Sequence, residues 1–103
     1  MKIIQQIIEF IDDELEGAED YIECAFAQKA ERPRLADKFA ELAEVEMNHM
    51  RILHGEAVKL IEEVRQRDGA PPADMLAVYE YEHQKQTKRA GLVNQMISDY
   101  RNT

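Results

Sequence analysis

The sequence is short of several things at once. It holds one cysteine, Cys24, in 103 residues, which excludes an internal disulfide and any zinc-ribbon or rubredoxin-type cluster. The expected state of Cys24 is an inert helical thiol in a reduced, cytoplasmic protein. No apolar run approaches the roughly 20 residues of a membrane span, so no membrane is expected as a partner. The opening Met1-Lys2-Ile3-Ile4-Gln5-Gln6 lacks the apolar core and small-residue cleavage site of a secretory signal. Basic residues are outnumbered, 13 Lys and Arg against 21 Asp and Glu, for a net charge of −8. A chain without clustered cations has little with which to neutralise phosphates, so no nucleic acid is expected as a partner either. Proline and glycine number only 3 and 4, and their scarcity makes each a marker of a break.

Those markers divide the chain. Glu31-Arg32-Pro33-Arg34 forms one boundary and Asp68-Gly69-Ala70-Pro71-Pro72 another, because proline inside a helix removes a hydrogen bond and clashes with the preceding turn. Three segments remain, about 3–30, 34–67 and 73–101, within a single domain spanning 1–103. In the first, Ile4, Ile8, Ile11, Leu15, Ala18, Ile22 and Ala25 alternate at spacings of four and three, the seam of a helix packed on other helices. The second carries two adjacent apolar stripes: Leu35, Phe39, Leu42, Leu53 and Leu60, and beside them Ala36, Ala43, Met47, Met50, Ala57 and Ile61. So wide a face predicts a helix touched from more than one side. The third is weaker, with Met75, Tyr79, Ala90, Val93, Ile97 and Tyr100 along one face. The expected class is all-α, an antiparallel helical hairpin with a third helix. Hydrophobic residues make up 45% of the chain, enough for a modest core, and further burial by oligomerisation is expected at this size.

Three ionisable residues interrupt the stripes. Glu46 and His49 fall on the Leu35–Phe39–Leu42–Leu53 line, and Glu14 falls on the line of Ile7, Ile11, Ala18, Tyr21 and Ala25. Burying an unpaired carboxylate costs several kcal/mol, on the order of the stability of a small domain. Coordination of a metal would remove that cost. Residues at i and i+3 sit side by side on a helix, so Glu46 and His49 can hold one ion from a single turn. A carboxylate oxygen with an imidazole nitrogen suits iron or manganese, and zinc also fits. The competing reading is a salt-bridged polar layer without metal.

The levels agree. Glu14 lies about 18 residues before Arg32, and Glu46 and His49 about 14 and 17 after it, so an antiparallel hairpin brings all three to one height at about 1.5 Å per residue. Helix bundles that pair Glu-x-x-His motifs with a Glu from neighbouring helices hold di-iron centres. One hairpin supplies half of that ligand set, and a twofold dimer supplies the whole. The site is therefore expected at an interface between two copies, which would complete a four-helix bundle.

The segment Glu14-Leu15-Glu16-Gly17-Ala18-Glu19-Asp20-Tyr21, with Glu seven before Tyr, followed by Glu46-Met47-Asn48-His49, resembles the ferritin-like superfamily. It is most similar to the rubrerythrin and encapsulated-ferritin branches, over roughly residues 5–60. The resemblance implies that the Glu seven before Tyr is a metal ligand, which selects Glu14 over Glu16 and Glu19. It also implies a half-bundle that completes a ferroxidase centre, a di-iron site oxidising Fe(II), by forming a homodimer or higher homo-oligomer. The chain departs from rubrerythrins in having no Cys-x-x-Cys module, so a peroxidase of that design is not expected. It stops at Arg101-Asn102-Thr103, without the tail that addresses encapsulated ferritins to an encapsulin shell, and shell loading is not expected.

Glu80 and His83 form a second Glu-x-x-His pair, in Glu80-Tyr81-Glu82-His83. With the second turn near residue 69, they fall about 9 residues, roughly 13 Å, off the level of Glu46 and His49. They would join that site only through a kink or by reaching another subunit. Otherwise they make a separate ion site or a solvated face. His54 reads as a core or boundary histidine, and Tyr21 as a packing residue whose hydroxyl hydrogen-bonds a carboxylate beside the metal. Gly17 costs about 1 kcal/mol in a helix interior and predicts close helix approach. The leading functional expectation is iron binding with oxidation of Fe(II). The alternatives are a metal buffer without turnover and a metal-free helical adaptor using its charged seam for register.

Overall fold

A computed structural model describes residues 2–103. It consists of three helices, α1 (Lys2–Gln28), α2 (Pro33–Asp68) and α3 (Ala73–Asn102), with no strand among the described residues. The body measures 55 × 19 × 17 Å, and its long axis matches the length of α2 at about 1.5 Å per residue. No described helix is long and apolar enough to cross a membrane.

The scarce prolines and glycines set the helix ends. Pro33 occupies the first turn of α2, where its missing N–H leaves no acceptor unsatisfied. The Arg32 N–H donates back to the Gln28 carbonyl at 2.8 Å, closing the α1–α2 turn. Gly69 ends α2 at φ 82°, a backbone region that favours glycine, and its N–H donates to the Arg65 carbonyl at 2.9 Å.

α1 and α2 pack antiparallel, large residues against small. Ile11, Leu15 and Ile22 of α1 are buried against Ala36, Ala40, Ala43 and Met47 of α2. The alanines let the two backbones approach closely. Of the two stripes on α2, only the alanine–methionine one forms the centre of the core. The leucine stripe lies at its margin, with Leu35 and Leu42 each more than a third exposed and Phe39, Leu53 and Leu60 half-buried. The periodicity predicts a core-facing stripe beneath Glu46 and His49; in a single chain that stripe is a rim. The physical reason is volume, since two facing helices close most tightly along the line of smallest side chains.

α3 lies across the opposite side of the hairpin. Val93, Ile97 and Tyr100 enter the core, and polar clasps reinforce them. Arg89 donates to both Glu19 oxygens, at 2.6 and 3.2 Å, and Arg101 donates to Glu44 at 2.7 Å. The buried Gln86 amide donates to the Ile8 carbonyl and to Asp12, each at 3.0 Å. The Tyr100 hydroxyl donates to Asp37 at 2.6 Å. Burial, and then that hydrogen bond, push the Tyr100 pKa up from 10.0 to about 12. Its neutral form is thus favoured in the fold. The stability it contributes is present below pH 10 and lost as pH rises from there towards 12. Tyr100→Phe is expected to cost about 1 kcal/mol at neutral pH and to flatten the alkaline limb of a stability–pH profile, measured by urea unfolding.

Candidate metal centre

Two buried residues aim the ligands. Leu15, fully buried, fixes the rotation of α1 so that Glu14 falls at the edge of the α1–α2 seam; Met47 does the same for Glu46. His49 follows Glu46 by one helical turn. Ligand atoms of Glu14, Glu46 and His49 all lie within 4.8 Å of one another. His49 Nδ1 is 3.4 Å from Glu14 Oε2, with side-chain exposures of 50% and 24%. The cluster is therefore walled by protein on one side and open on the other.

Its carboxylate oxygens are incompletely hydrogen-bonded. Glu14 Oε2 is buried and has no hydrogen-bond partner among the described residues. His49 stands close enough for charge attraction but not in line for a hydrogen bond. The Glu46 carboxyl is held above its usual value of 4.5, first because its protonated form can hydrogen-bond to Glu14, then by burial and by the Glu14 charge, with His49 opposing. When both carboxylates are ionised, two acceptors face each other and neither can donate. A cation placed between them would relieve that repulsion.

Gly17 leaves the space for the Glu46 side chain. A Cβ built there would stand 3.3 Å from Glu46 Oε2 and 3.6 Å from its Cγ and Cδ. The close approach that the glycine predicts is thus an approach by a ligand side chain. Gly17→Ala is expected to raise the stability of the metal-free chain by up to about 1 kcal/mol through helix propensity. The same change displaces the Glu46 carboxylate by a few tenths of an ångström and weakens metal affinity. Thermal unfolding with and without added metal measures both effects.

The structure does not bring Glu80 and His83 to this cluster. His83 lies against His54 instead, their ring centroids 5.0 Å apart, on the α3 side of the hairpin. Tyr21 stacks on Phe39, centroids 6.3 Å apart, and its hydroxyl makes no hydrogen bond to Glu14 or Glu46 among the described residues. Cys24 is exposed. The sequence reading passed over Gln86 and the Arg89–Glu19 pair. Gln86 was detectable, because Tyr79, Gln86, Val93 and Tyr100 recur every seven residues on one face of α3. No family model, curated protein or solved structure matches the chain.

Proposed function

We propose that the chain is a ferritin-like protein whose Glu14, Glu46 and His49 form half of a di-iron carboxylate centre, completed by a second copy, and that it oxidises Fe(II). The observation that carries this reading is the convergence of ligand atoms of the three residues within 4.8 Å around a buried carboxylate oxygen with no hydrogen-bond partner. Two carboxylates and one imidazole per chain make a hard, anionic donor set that suits iron or manganese and favours the higher oxidation state of iron. Paired iron ions would supply the electrons that reduce oxygen or peroxide. The chain's own residues hold the ions, balance their charge and, through Gly17, give the Glu46 carboxylate room to move.

The surroundings support a second copy. Ile3 and Phe10 lie eleven and four residues before Glu14, and Leu35 and Leu42 the same distances before Glu46, so each pair shares a helix face with its ligand. All four are between 40% and 45% exposed. An apolar rim around an open, charged half-site fits a twofold contact that covers both. α3, clasped to the far side, leaves that face free.

The test is aerobic addition of Fe(II) to the purified protein, following the ultraviolet absorbance of Fe(III). Wild type is expected to oxidise iron faster than buffer. A His49→Ala variant that keeps the wild-type rate would overturn the assignment. Stoichiometric binding without any rate above background would make the chain a metal buffer. No metal after reconstitution would favour an adaptor.

A further inference from the structure

The helix α3 leaves a cleft where it passes the C-terminal half of α2, and two histidines face each other across it. His54 of α2 and His83 of α3 have ring centroids 5.0 Å apart and planes inclined at 47°. A cavity of about 350 Å³ lies to one side, lined by Met50, His54, His83 and Ala90 among others. A smaller one of about 160 Å³ lies to the other, where Glu80 joins the two histidines in the lining. The rings are not stacked flat, and solvent-sized space adjoins both.

That separation has a meaning in coordination chemistry. Two imidazoles bound to one tetrahedral ion, with metal–nitrogen bonds of about 2.0–2.1 Å, place their ring centres roughly 5 Å apart. Neutral imidazole pairs select zinc, copper or nickel over the harder ions that suit a carboxylate-rich set. We propose that His54 and His83 form a second metal site, for a borderline divalent cation of the zinc class, which clips α3 to α2. Glu80, one turn before His83, lines the smaller cavity beside the two histidines. The site is chemically distinct from the Glu14–Glu46–His49 cluster and does not depend on a second copy of the chain.

The experiment uses full-length protein carrying Glu46→Ala and His49→Ala, which removes the first site, so that its outcome is independent of the iron reading. Titration with Zn²⁺ by calorimetry is expected to show about one ion bound per chain, with a rise in unfolding temperature. Adding His83→Ala, at an exposed position, is expected to abolish both signals while circular dichroism still shows the helical fold. His54→Gln provides the second variant and is expected to do the same. Failure of the Glu46→Ala/His49→Ala protein to bind Zn²⁺, or unchanged affinity in the folded protein that also carries His83→Ala or His54→Gln, overturns the proposal.

Discussion

Glu46→Gln is expected to abolish iron oxidation while making the metal-free protein more stable. The two effects have one origin. Glutamine keeps the shape of the side chain but removes its negative charge, and it can donate to Glu14 Oε2, the buried oxygen that has no hydrogen-bond partner. The destabilising approach of two carboxylates becomes a hydrogen bond, worth about 1 kcal/mol before allowance for the partial exposure of the pair. The sign of the pH dependence follows from the raised Glu46 carboxyl. Because the fold disfavours its charged form, the stability it contributes is present below its ordinary value of 4.5 and is lost as pH rises above it. The advantage of the variant over wild type should therefore be near zero in acid and grow towards neutrality, as read by urea unfolding. Metal affinity moves the other way. Loss of a charged ligand is expected to weaken binding by at least on the order of 100-fold. If wild type and variant had equal stability at neutral pH, the carboxylate pair would not be strained.

Leu42→Glu is expected to separate the two copies without touching a ligand. Leu42 is 40% exposed in the single chain, so the hairpin itself should tolerate the change. It sits one turn from Glu46 on the face proposed to meet the second copy, where a charge would be buried. Such a substitution at the centre of an interface typically costs 2 kcal/mol or more, about 30-fold in dissociation constant. Sedimentation should show a monomer at concentrations where wild type is dimeric. Iron oxidation should fall with it, since each monomer keeps only half the ligands. A monomeric variant that still oxidised iron at the wild-type rate would show that one hairpin suffices.

Much of this was legible in the residues themselves. The boundaries at Pro33 and Gly69 followed from backbone chemistry, and the helices α1, α2 and α3 end within a residue or two of where the periodicity places them. The grouping of Glu14, Glu46 and His49 followed from the apolar stripes they interrupt together with helix rise. What period and rise do not contain is the identity of the partner face. On α2, the leucine and alanine stripes are equally regular, and only the volumes of the facing isoleucines decide which one closes. The contact between His54 and His83 was illegible for a related reason. It depends on how α3 leans across the hairpin, which is set by Gln86, Arg89 and Arg101 reaching α1 and α2 rather than by any pattern within α3.

The alanines of the hairpin have a consequence for the metal chemistry. Ala36, Ala40 and Ala43 on α2, with Ala18 and Ala25 on α1, are all essentially inaccessible, and they set how near the two helix axes can come. Glu14 and Glu46 project from those axes, so the gap between their carboxylates is gauged by side chains that never touch an ion. Enlarging Ala43 to valine would widen that gap and tune the cavity towards a larger cation. In the proposed centre, selectivity among metals would be set by the methyl groups behind the ligands.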